Sequence, residues 1–211
     1  MTKRNLARNV KKREQKIRFL VVSEGAVTEM EYLDAVKRDR RLSSADVKFV
    51  PPGPTSPFEI VTKARDLRNE AKRTDPYDFV WCLFDTETKI TQNARPRISE
   101  AAEMARKLGI EVAISNPCIE LWLLLHVEDR QAWIDSHVCQ AKCAELEVVI
   151  GKHICDPDAL YKSFQDAKRR AIALMAKHER EGKLRPEEMN PSTCLYKLVD
   201  CIRAAYPSDA D

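Results

Sequence analysis

The chain has 211 residues, 44% hydrophobic and 33% charged, enough to bury the core of one domain or of a domain with an added piece. It has no apolar run of 18 residues or more, which excludes a membrane-spanning helix, and its basic start lacks the apolar segment of a secretory signal, so a cytoplasmic protein is expected. The net charge of +3 is unevenly spread: residues 1–18 hold eight basic groups against Glu14 alone, so they carry +7 and the rest of the chain −4.

Residues 1–16 read as a basic arm. An arm of that charge on a mildly acidic body suits contact with a polyanion, and equally a solvated leader. Residues 17–23 are a short apolar run with β-branched side chains, as expected of a strand covered on both faces. Residues 28–40 place Glu29 and Glu31 early and Lys37, Arg38 and Arg40 late, which suits a helix dipole. Residues 46–50 alternate polar and apolar like a second strand. The prolines of 51–57 make a stiff loop. A helix over 57–73 follows, with Ser56 as N-cap and Pro57 at its first position. Residues 77–84 are a third strand, and a helix near 98–108 stops at Gly109. Residues 110–115 are a fourth strand. Asn116-Pro117 is expected to cap and start a helix that runs to His126.

Residues 17–126 therefore read βαβαβαβα, a mainly parallel four-stranded sheet with right-handed crossovers and flanking helices. From 127 to 211 only helices are expected, near 136–149, 158–182 and 193–205, the last capped by Ser192 or Thr193. That region is read as a helical extension packed on the sheet domain.

Parallel α/β sheets bind ligands at the carboxyl ends of their strands. Glu24 follows the first strand there, and Asp85 and Glu87 follow the third. Positions i and i+2 of an extended chain point to one side. If the first and third strands are neighbours, Glu24 faces the pair. Three ionised carboxylates about 4 Å apart cost roughly 4 kcal/mol per pair at an effective dielectric near 20. A divalent cation removes that cost, and all-oxygen donors favour Mg²⁺ or Mn²⁺ over zinc. On spacing alone, the plainer account that such acids cap helices or face water is the stronger one.

Asn116 and Glu120 are four apart and are expected on one helical face at the same edge. Glu120 lies within the almost wholly apolar segment 119–126, so it needs a partner. His126 reads first as a satisfied histidine at the end of that helix. His137, Cys139, Cys143, His153 and Cys155 match no standard zinc spacing. The seven cysteines read as reduced thiols. Only five glycines are present, and none completes a phosphate-binding loop. Ser23 is in no nucleophile elbow.

Several stretches together resemble the RloB-like family. They are Val22-Ser23-Glu24-Gly25 with Thr28-Glu29, Trp81-Cys82-Leu83-Phe84-Asp85, Ser115-Asn116-Pro117-Cys118-Ile119-Glu120-Leu121-Trp122-Leu123-Leu124-Leu125-His126, and Asn190-Pro191-Ser192-Thr193. The match covers most of the chain after the arm. The resemblance implies a Toprim-like fold in which Glu24, after the first strand, and Asp85, after the third, bind Mg²⁺. Glu87 stands where a second aspartate is usual. It further implies an effector from a prokaryotic restriction or anti-phage locus, working beside an ATPase of the AAA/ABC class and acting on DNA or tRNA.

The resulting expectation is a Mg²⁺- or Mn²⁺-dependent nuclease. Glu24, Asp85 and Glu87 hold metal, and Glu24 also serves as general base. Glu29, Asn116, Glu120 and His126 support the site or position substrate. Arg4, Arg8, Lys11, Lys12 and Arg13 of the arm, with Lys63 and Arg68 of the second helix, contact phosphates. The alternatives are a non-catalytic partner or sensing subunit of the ATPase, and a nucleic-acid-binding protein acting through its arm. Homo-oligomerisation is left open.

Overall fold

The computed structural model describes residues 17–43, 46–50, 56–86 and 98–207. Within them the chain runs β1 (Phe19–Ser23), α1 (Thr28–Asp39), β2 (Val47–Val50), α2 (Pro57–Ala71), β3 (Phe79–Asp85), α3 (Ile98–Lys107), β4 (Glu111–Asn116) and α4 (Ile119–Val127). It continues through α5 (Ser136–Glu145), β5 (Val149–Ile150), β6 (His153–Ile154), α6 (Pro157–Lys162), α7 (Phe164–Arg180), β7 (Ser192–Thr193) and α8 (Leu195–Ala205). A single 3-10 turn, Pro186–Glu188, precedes β7. Among the described residues no helix is long and apolar enough to cross a membrane.

The fold is α/β. Its main sheet has the strand order β2-β1-β3-β4-β7. The first four strands are parallel, with Val21 opposite Trp81 and Leu83 opposite Ala113. The chain leaves β1 toward β2 on one side and reaches β3 on the other. The strand order therefore reverses between β1 and β3, whose carboxyl ends border the crevice where ligands of such sheets bind.

Alternate residues of β1 and β3 serve two cores. Phe19, Val21, Trp81 and Leu83 face one apolar layer with Tyr32 and Val36 of α1 and Trp122 and Leu124 of α4. Leu20, Val22, Cys82 and Phe84 face the other, with Ile60 and Val61 of α2 and Ile98 of α3. Period-two alternation with both faces covered gives the strands their continuous apolar character. The α1 layer runs on into the C-terminal helices through Cys139 of α5, Phe164 and Leu174 of α7 and Leu198 of α8.

Local signals account for most boundaries. Ser56 and Glu59 form a reciprocal capping box, with Pro57 in the first turn of α2. Gly109, at φ +63°, ends the segment after α3.

Four expectations are corrected. The sheet has a fifth strand: β7 pairs antiparallel with β4, Ser115 opposite Thr193 and Asn116 opposite Ser192. Two residues are too few to show a period, so β7 exists only because β4 offers it an open edge. Ser192 and Thr193 thus lie in a strand, and Cys194 is the N-cap of α8, although the Thr193 hydroxyl still accepts from Leu195 N at 3.4 Å. The helix expected over 136–149 stops at Glu145, and a β5–β6 hairpin turns at Gly151, φ +64°. The long helix expected over 158–182 is broken at Ser163 into α6 and α7.

Candidate active site

Ser23, Glu24 and Gly25 follow β1 as the chain turns into α1, and Glu24 N donates to Leu83 O of β3 at 3.3 Å. This ties the turn to the neighbouring strand. Glu29, in the first turn of α1, folds back over Gly25 and accepts a hydrogen bond of 3.1 Å from the Ser23 hydroxyl. The Ser23 oxygen in turn accepts from Gly25 N at 3.1 Å. A Cβ at position 25 would lie 2.1 Å from Glu29 Oε1. Only glycine leaves room there for the carboxylate.

The first turn of α1 is held from outside by the β5–β6 hairpin. The Thr28 hydroxyl donates to Lys152 O at 2.8 Å. The Glu31 carboxylate meets His153 Nδ1 at 2.6 Å and accepts from Ile154 N at 2.7 Å. Glu29 therefore sits on a clamped turn.

Asp85 ends β3. Its Oδ2 accepts from Ile119 N at 3.1 Å, satisfying an amide at the open N-terminus of α4. Cys118, the N-cap of α4, makes no side-chain cap. The Asp85 carboxyl is pushed well above the ordinary carboxylate range, first by burial and then by the charges of Glu29, Glu120 and Glu24; the Ile119 hydrogen bond opposes this. Burial also raises Glu29, Glu120 adds to the rise, and the hydrogen bonds from Ser23 and the backbone pull against it.

Glu24, Glu29 and Glu120 thus each act on Asp85, and Glu120 also on Glu29, at the carboxyl ends of β1 and β3 and the start of α4. Carboxylate oxygens are the donor chemistry that a hard divalent cation takes. The cluster is not a closed site: among the described residues no group of three or more His, Cys, Asp or Glu side chains is placed to hold a metal ion. Glu87, the expected third ligand, lies outside the described residues, as do Arg4, Arg8, Lys11, Lys12 and Arg13.

Other expected residues are placed differently. Asn116 does not share a helical face with Glu120, because it is the last residue of β4, paired with Ser192. Its Nδ2 donates to Pro186 O at 2.7 Å and anchors the 3-10 turn. Asn116-Pro117 therefore neither caps nor opens the helix, which begins at Ile119.

His126 is buried. Its Nδ1 lies 2.9 Å from Trp122 O and its Nε2 lies 3.0 Å from the Tyr32 hydroxyl. A proton on Nδ1 satisfies both contacts. Burial pushes its pKa down to about 4, which favours the neutral ring. Cys139 and Cys143 are buried helical thiols, Cys143 donating to Glu120 O. Arg68 Nη1 donates to Leu108 O at 2.7 Å, just beyond the end of α3, and Lys63 is exposed on α2.

The roles of Ser23 and Gly25 in holding Glu29 were not among the expectations. The available signal was a glycine directly after the acid, in a chain with only five.

A family model described as RloB-like protein matches residues 19–202. No curated protein and no solved structure matches the chain.

Proposed function

The chain belongs to the RloB-like family, and from that premise we propose that it is a Mg²⁺- or Mn²⁺-dependent, Toprim-like nuclease. It would hydrolyse phosphodiester bonds of DNA or tRNA as a cytoplasmic effector of anti-phage defence, beside an ATPase of the AAA/ABC class. The observation that carries this reading is the placement of Glu24 and Asp85 at the carboxyl ends of the paired parallel strands β1 and β3, where Glu29 and Glu120 also act on Asp85.

Glu24 and Asp85, with Glu87, are the residues that would hold the ion. When bound, the ion supplies electrostatic stabilisation of charge on the phosphate. Glu24 would take the proton from the attacking water. Glu29, fixed by Ser23 and Gly25, keeps the turn that carries Glu24 in place. Ile119 N fixes the carboxylate of Asp85. The basic arm and Lys63 would hold the nucleic-acid backbone, giving salt-dependent affinity.

The test is incubation with plasmid DNA, single-stranded DNA and total tRNA, in Mg²⁺, Mn²⁺ or EDTA, alongside Asp85→Ala. Cleavage that needs metal and disappears in the variant is expected. Cleavage that persists in Asp85→Ala or in EDTA would sink the reading.

One observation favours a second reading, a non-catalytic partner or sensing subunit of the ATPase. Asp85 already serves as the cap of α4, a structural task that is complete without metal. That reading predicts a stable complex with the ATPase and no cleavage with any of these ions, whether or not ATPase and ATP are present.

A further inference from the structure

At the far end of α1 from the carboxylates lies a cavity of about 410 Å³. Four basic side chains from three helices and an adjoining loop line it: Arg38 of α1, Arg40 just beyond it, Lys162 of α6 and Arg203 of α8. The acids in its wall are Asp39 and Asp158. Each is already engaged, Asp158 by Arg38 Nε at 2.9 Å and Nη2 at 2.8 Å, Asp39 by Arg40 Nε at 2.9 Å. The Arg40 side chain is only 2% exposed, so its charge acts where water screens little.

Arg203 is held in place by Tyr161 and Phe164. Its Nη1 donates to the Tyr161 hydroxyl at 3.2 Å, and its guanidinium lies 5.2 Å from the Phe164 ring centre. Gln165 also lines the cavity, with an amide that can donate or accept. The lining sets four cations against two acids, a net charge of +2.

Arg38, Lys162 and Arg203 each lie in the last turn of their own helix, where a cation also complements the dipole. That accounts for each one singly. It does not account for their meeting, with Arg40, around one hollow of nucleotide size.

We propose that this cavity binds a small phosphate-bearing molecule, a nucleoside diphosphate or one like it, whose oxygens accept from the Arg38, Lys162 and Arg203 heads. The site is distinct from the carboxylate cluster: Glu29 and Arg38 stand at opposite ends of α1, about 14 Å apart along its axis. It is an effector site, and it does not rest on the nuclease reading.

Calorimetric titration of the full chain with inorganic phosphate, pyrophosphate, adenosine 5′-diphosphate and an oligonucleotide lacking terminal phosphates tests this. The diphosphates are expected to bind more tightly than phosphate. Arg203→Met and Lys162→Met should each weaken them roughly tenfold, with melting temperatures recorded to show that both variants fold. Lys63→Met and Asp85→Ala should bind the diphosphates like the wild type, which keeps this outcome apart from that of the nuclease test. No heat with any phosphate at millimolar concentration, or equal binding by both cavity variants, overturns the proposal. Binding of the oligonucleotide alone, lost in those variants, overturns it in favour of a nucleic-acid backbone contact.

Discussion

The Asp85 carboxylate accepts a hydrogen bond of 3.1 Å from the backbone N–H of Ile119. The acid that ends β3 is thereby also the cap of α4. A carboxylate at a helix N-terminus is ordinarily stabilised as an anion. Here burial and three neighbouring carboxylates outweigh that one amide, and the group keeps its proton to a raised pH.

The first prediction follows from that imbalance. The folded protein holds a proton on Asp85 between the ordinary value of 3.8 and the raised one, so stability falls as pH rises through that window. Asp85→Asn removes the charge and keeps an oxygen for Ile119 N–H. At pH 8 the variant should melt higher, by about 2–4 °C for each kcal/mol of repulsion relieved. Near pH 4 the two proteins should melt together. Mg²⁺ should raise the melting temperature of the wild type and not of the variant. Equal melting at pH 8 would refute the repulsion.

His126 gives the opposite sign on the acid side. Its folded pKa of about 4 lies below the ordinary 6.5. The stability it contributes is complete above pH 6.5 and is lost as pH falls from there toward 4, about 3 kcal/mol in all. Urea midpoints at pH 7.5 and pH 4.5 measure the drop. His126→Gln should lower stability at pH 7.5 but flatten the dependence; an unchanged slope would show that another group is responsible.

Gly25→Ala puts a methyl group where the Glu29 carboxylate lies. Glu29 must swing off Ser23, and the buried hydroxyl loses its acceptor. The expected cost is about 1–3 kcal/mol, read from denaturant unfolding, together with a weaker response to Mg²⁺. Unchanged unfolding and an unchanged metal response would show that the close approach has no consequence.

Glu187, in the 3-10 turn, caps α3 from a distant part of the chain. Its carboxylate accepts from Ser99 N at 2.7 Å and from the Ser99 hydroxyl at 2.6 Å. Glu187→Ala should cost about 0.5–2 kcal/mol. Amide exchange should quicken in the first turn of α3 and stay unchanged in α4. Exchange that quickens equally in both helices would mean the cap is not local.

Much of the fold was legible because its signals are local. Strand signals alternating with helix signals announced a parallel sheet, and Ser56, Pro57 and Gly109 marked boundaries. Glu24 and Asp85 were legible because parallel strands deliver their carboxyl ends to one edge. The strand β7 was not, since two residues carry no period and Ser192-Thr193 also reads as a helix cap. Asn116 was misplaced for a related reason. An Asn-Pro pair is a good helix opening in isolation, but pairing with Ser192 holds Asn116 in the sheet.

The sequence by itself thus determined the alternation of strand and helix, the apolar character of the strands and the acids at the strand ends. All of these depend on residue type and short-range periodicity. Only the tertiary structure decided which groups meet. Glu29 and Glu120 come from two helices that nothing local relates, and they reach Asp85 because α1 and α4 pack on the same face of the sheet. Distances across a packed interior are set by the whole chain's burial, and no short window of sequence contains them.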